Sequence, residues 1–188
     1  MVSVFDLWLP ILASGVFVFI VSSVIHMAIP IHKGDYAKLP GEADVLKSMR
    51  DQSVRPGQYM FPCADSMKEM ATPEMIEKLN QGPVGFLTVV DNGPMNMGKA
   101  LVQWFVYSLV VGFCIAYVAG MGLAAGADSM VVFRLTAAVG ILAYGIAGFV
   151  ESIWKGVPWG VSAKFLFDGF LYGMATGGAF AWLWPAAI

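Results

Sequence analysis

Charged side chains are scarce in this 188-residue sequence: Lys and Arg number 11 and Asp and Glu 13, together 13% of the chain. Soluble domains carry about 25%, so half that share points to lipid as the solvent. The net charge of -2 is small and no basic stripe is present, so no nucleic-acid partner is expected. Cysteine is nearly absent. Cys63 and Cys114 cannot build a disulfide framework, which excludes a small disulfide-rich secreted domain. The two histidines, His26 and His32, are too few to suggest a haem held by histidines on separate spans, which leaves only His/Met ligation open. There is no P-loop, no GxGxxG after a strand, no GxSxG and no HExxH. No catalytic residue is assigned.

What the sequence does have is long apolar runs. A bilayer core about 30 Å thick needs roughly 20 apolar residues to cross it as a helix. Four stretches qualify: about Leu7 to Ile31, Ala100 to Leu123, Met130 to Ile153 and Ala163 to Trp184. Continuous apolar runs exclude a β-barrel, whose strands alternate, and lipid forces each span to be helical. The expected fold is an all-α membrane protein: a four transmembrane helix bundle with a small α+β insert between spans one and two. The division is residues 1–31 for the first helix, 32–99 for the hydrophilic cap and 100–188 for the other three helices.

Orientation follows from positive charge near span ends. Lys33, Lys38, Lys47, Arg50, Arg55, Lys68, Lys78 and Lys99 lie in the insert, and Lys155 and Lys164 lie between spans three and four. The opposite side has only Arg134. Both termini are therefore expected outside the cytoplasm and residues 32–99 inside it. No Lys or Arg precedes the first run, which is also too long for a signal peptide, so it is expected to remain as an anchor.

Within the insert, Val45, Leu46 and Met49 have helical spacing. Thr72-Pro73-Glu74 is a helix start, with a capping hydroxyl, a proline whose missing N–H costs nothing and an acid at the positive dipole end. Gln58 to Phe61 and Phe86 to Val90 read as strands, the second ended by the turn residues Asp91-Asn92-Gly93-Pro94. Within lipid, helices associate by close packing of small residues. Gly169, Gly173 and Gly177 form a repeated GxxxG seam, and Gly112, Ala116 and Gly120 share its spacing. Such seams serve packing within one chain or between copies. Trp8, Trp104, Trp154, Trp159, Trp182 and Trp184 suit interfacial belts.

Ionisable groups inside spans are the usual pointers to function. They are His26, Arg134, Glu151 and Asp168. Each lies near a span end, and Glu151 with Lys155 and Lys164 with Asp168 are spaced as i,i+4 ion pairs. His26 and His32, six apart, do not share a helical face, although Pro30 between them can bend the chain. A second constellation is soft: Met60, Cys63, Met67 and Met70, with His26 and His32 where the insert begins. Thioether and thiolate suit Cu(I), so copper is the one cofactor entertained. The bland alternative is that Met67, Met70 and Met75 form the apolar face of an amphipathic helix.

His32-Lys33-Gly34-Asp35-Tyr36, Tyr59-Met60-Phe61-Pro62-Cys63 and Ser66-Met67-Lys68-Glu69-Met70 are the most specific segments. With Gly82-Pro83-Val84-Gly85-Phe86-Leu87-Thr88 and Leu101-Val102-Gln103-Trp104-Phe105, they resemble a group of small bacterial membrane proteins without an assigned activity. The resemblance covers most of the chain and implies a bacterial inner-membrane location and the four-span layout. The expected role is non-enzymatic: a homo-oligomer, or a component of a membrane assembly whose cap docks a partner. Copper binding or redox chemistry at the Met/Cys insert is one alternative. Small-molecule or proton carriage through His26, Glu151 and Asp168 is another.

Overall fold

The computed structural model describes residues 1–187. Four long helices and a small α+β unit account for most of it: α1 (Trp8–Ala28), α5 (Met97–Gly122), α6 (Ser129–Tyr144) with its short continuation α7 (Phe149–Lys155), and α8 (Trp159–Leu183). Between α1 and α5 lie α2 (Glu42–Asp51), β1 (Gly57–Phe61), α3 (Met67–Met70), α4 (Pro73–Gln81) and β2 (Gly85–Val89).

Among the described residues, three helical stretches are long and apolar enough to cross a membrane: Val4–Ala28, Met97–Gly122 and Ser129–Lys155. Four were expected. The difference lies in α8, whose 25 residues would reach about 37 Å. Lys164, Asp168 and several glycines dilute its apolar content, so length alone qualifies it. The third stretch is also less regular than its hydropathy predicts. At Gly145 the chain leaves the α-helix, takes a 3-10 turn over Ile146–Gly148 and resumes as α7.

α8 packs along both α6 and α1, and α5 closes against α1 and α6. Small residues permit the approach. A Cβ on Gly173 would stand 2.7 Å from Ile141 N and 2.8 Å from the Ala137 carbonyl oxygen, and one on Gly177 would stand 2.8 Å from Ala137 Cβ. Gly169 faces the Gly145 backbone. On α5, Gly112 meets Ser14 Oγ, Gly120 meets the Val2 carbonyl, and Ala116 is fully buried. Phe180, Leu7, Ile115 and Val132 fill the space around them.

The second compact unit is Tyr36–Met95 with Trp154–Gly156. β1 and β2 pair antiparallel with Tyr59 opposite Leu87 and Phe61 opposite Gly85, within a residue of the expected strands. α4 starts as the sequence predicts: Thr72 Oγ1 accepts from Met75 N and Pro73 is its first residue. The methionines do not form one amphipathic face, however. Ser66 caps α3 and Thr72 caps α4, so two short helices replace one. Met75 is 3% exposed and Met67 86%.

Candidate metal centre

The site begins where α1 ends. Pro30 disfavours helical geometry at the residue before it, and Ile29 is extended at φ -103°, ψ 121°. Proline is then well placed to open the 3-10 turn Pro30–His32. Lys33 N donates to the Pro30 carbonyl and Asp35 N to that of His32. The chain thus doubles back, and the His32 ring stacks on that of His26 with centroids 4.5 Å apart. Phe165 of α8 packs on His32 at 5.2 Å. The two histidines, six apart in sequence, become neighbours because the helix does not continue between them.

α8 delivers the third group. Asp168, nine residues after Trp159 and so about 14 Å along the helix, is only 1% exposed. It stands about two and a half turns from the start of α8, because α8 begins four residues before the apolar run. One of its oxygens, Oδ2, is 2.9 Å from His32 Nε2 and 3.7 Å from His26 Nε2. The expected i,i+4 pair of Asp168 with Lys164 is replaced. Lys164 Nζ donates to Asp35 Oδ1 at 2.5 Å, and Asp35 Oδ2 is 2.6 Å from His32 Nδ1. Lys164 has a long stem and sits a turn nearer the helix start, so it reaches outward to the turn. Asp35 carries its charge easily: the Lys164 ammonium, then the His32 ring, holds its carboxyl below the usual carboxylate range.

These contacts assign roles to the ring atoms. If Nδ1 of His32 donates to Asp35, a neutral ring presents a lone pair at Nε2. That lone pair faces a carboxylate. Although 2.9 Å is hydrogen-bond length, His32 Nε2 and both oxygens of Asp168 have no aligned hydrogen-bond partner among the described residues. With His32 in that tautomer two acceptors face each other and a cation between them, a proton or a metal ion, satisfies both. A carboxylate–histidine–metal relay has this form: the outer carboxylate fixes the tautomer and the other nitrogen binds the ion.

His26, His32 and Asp168 form a group that could hold a metal ion, with one ligand atom from each and all within 4.8 Å of one another. Ligands about 2.1 Å from a tetrahedral ion sit roughly 3.4 Å apart, so modest closure around an ion completes the set. His26 Nε2 also lies 3.3 Å from the Tyr172 hydroxyl, a long contact that an ion held at His26 would replace.

The other sequence candidates are not in this group. Cys63 is exposed, and its Sγ approaches only the neighbouring Ala64 carbonyl at 3.9 Å. Met60 lies on β1, and Met67 and Met70 on α3. Glu151 lies on α7, and Arg134 is exposed on α6, facing away from the packed helices. Sequence reasoning did not assign Asp35 and Tyr172, although the His32–Asp35 spacing was a readable sign of a tight turn. Compared with family models, with curated proteins and with solved structures, the chain matches none. The geometry therefore carries the functional reading.

Proposed function

We propose that the protein is a four-span integral membrane protein, α8 being the fourth span, that holds one divalent metal ion at His26, His32 and Asp168. The observation behind it is the buried Asp168 carboxylate, without an aligned hydrogen bond, lying 2.9 Å from His32 Nε2 and 3.7 Å from His26 Nε2. Two imidazoles and one carboxylate suit zinc or ferrous iron, whereas Cu(I) prefers the thioether and thiolate groups of Met60, Cys63, Met67 and Met70. Three protein ligands leave a coordination position for a further molecule, which fits a binding or catalytic centre better than a closed structural one. The placement of Lys and Arg favours a cytoplasmic insert, and the resemblance favours a bacterial inner membrane. The glycine seams support packing within the bundle, and the assembly reading stands beside the metal reading.

One further reading rests on the same observation. A proton shared between Asp168 and His32 satisfies the facing acceptors and makes the cluster a proton-holding element in a carrier.

Protein purified in mild detergent and loaded separately with Zn²⁺, Fe²⁺ and Cu⁺ tests the choice by elemental analysis. One Zn²⁺ or Fe²⁺ per chain is expected, lost in His32→Ala and in Asp168→Asn. Wild-type protein that retains neither ion removes the metal reading and leaves the proton.

A further inference from the structure

A cavity of about 640 Å³ adjoins the cluster, its walls drawn from α1, α5, α6 and α8. That size falls within the roughly 300–1,000 Å³ typical of small-molecule sites. Four rings shape one side: Trp104 with Tyr107 at 5.5 Å, and Tyr144 with Tyr172 at 5.6 Å, linked through Trp104–Tyr172 and Trp104–Tyr144 contacts. The wall is fixed as well as aromatic. Trp104 Nε1 donates to Ser22 Oγ at 2.9 Å, and the Tyr144 hydroxyl donates to the Ser108 carbonyl. Trp104 thus turns toward α1. Exposed Met27 and Met97 stand at the end of the cavity where α1 finishes and α5 begins.

Polar capacity in this cavity is confined. Ser22 is taken by Trp104, and Ser23 Oγ donates back to the Phe19 carbonyl. What remains is the Tyr107 hydroxyl and the end where His26 and Asp168 line the wall, and there the Asp168 oxygens lack an aligned hydrogen bond. Once an ion takes the His26 Nε2 lone pair, the Tyr172 hydroxyl is released as a donor in the same wall. An aromatic slot with a donor and an open metal position at one end fits a flat ring with oxygen on its edge. The remaining apolar length fits a hydrocarbon tail. Rings stack on rings in offset or edge-on geometry.

We propose that this cavity binds a lipid-soluble quinone, its ring among Trp104, Tyr107, Tyr144 and Tyr172 and one ring oxygen at the His26–Asp168 end. The ring pocket stands without an ion. The anchor for the ring oxygen, an open metal position with the Tyr172 donor beside it, rests on the metal reading. His32 does not line the cavity, so the ion and the ring can be perturbed apart.

The test is equilibrium binding of tritiated decylubiquinone to the zinc-loaded full chain in detergent, with oleate as competitor. One saturable site per chain is expected, resistant to oleate. Leu101→Trp, which fills the cavity, and Tyr107→Leu, which removes one ring, should each weaken binding at least tenfold with zinc content unchanged. Tyr172→Phe should weaken it severalfold in zinc-loaded protein and little without zinc. Non-saturable uptake, or affinity unchanged in both cavity variants, overturns the proposal. Displacement by oleate as effective as by the quinone also overturns it, since the cavity would then be an acyl-chain groove. Saturable binding lost in Leu101→Trp, in a protein that takes no zinc, upholds the ring pocket and removes the metal reading alone.

Discussion

Gly173→Ala adds one methyl group where α8 crosses α6, and its cost can be worked from the contacts. The new carbon would stand 2.6 Å from Ile141 Cγ1, 2.7 Å from Ile141 N and 2.8 Å from the Ala137 carbonyl oxygen. Non-bonded carbon contacts are favourable near 3.5–4.0 Å, so the helices must part by roughly 0.8 Å. The Ile141 side chain can turn aside; the two backbone atoms cannot. Overpacking of this kind costs about 1–3 kcal/mol. The upper half of that range is expected, because parting also loosens Gly140 and Gly177 in the same seam. Gly178→Ala is the control: it lies in the same helix, and a Cβ there meets nothing within 4 Å. Helix propensity alone makes it neutral or stabilising by up to about 1 kcal/mol. Unfolding by graded addition of SDS to the detergent-solubilised protein, followed by circular dichroism, reads both. A Gly173→Ala midpoint indistinguishable from that of Gly178→Ala would refute the close approach of α6 and α8.

An ion at His26, His32 and Asp168 would feel Asp35 through His32, so Asp35→Asn should lower zinc affinity about 10–100-fold without abolishing binding. Competition with a chromophoric chelator measures this, and affinity equal to wild type would remove Asp35 from a positioning role. Ser22→Ala leaves the Trp104 indole N–H without its acceptor, which should cost about 1–3 kcal/mol. The SDS midpoint and the emission of Trp104, compared through a Trp104→Phe variant, report it.

Apolar length announced α1, α5 and the α6–α7 stretch, because a lipid solvent leaves the backbone few options. The insert was legible where chemistry is local: the Thr72-Pro73 helix start and the alternation that became β1 and β2. It was illegible where two local signals competed. Met67, Met70 and Met75 fit one helical face, yet Ser66 and Thr72 are both good caps, and the chain made two helices. The break at Gly145 had no signal in hydropathy either. It follows from the approach of Gly169 to the Gly145 backbone, which only tertiary packing specifies. A fourth span was read from the same apolar criterion that α8 fails once Lys164 and Asp168 are counted.

The site itself was half legible. His26, His32 and Asp168 were each visible, but the spacing of six residues argued against a shared ligand only for a helix that continues through Pro30. Lys164 and Asp168 had the right spacing for a pair, yet a long-range partner displaced the local one. What remains is the cation. Asp35 and Asp168 against Lys164 leave one negative charge, and an uncompensated buried carboxylate costs several kcal/mol. A proton and a divalent ion both relieve it, but they use different atoms. A proton between Asp168 and His32 needs only His32 Nε2, while an ion uses His26 Nε2 as well. His26 is the discriminating residue. If an ion holds the cluster, His26→Ala should lower zinc affinity at least a hundredfold, and zinc should no longer raise the SDS unfolding midpoint. If a proton holds it, the same substitution leaves the midpoint near the wild-type value and zinc without effect in either protein.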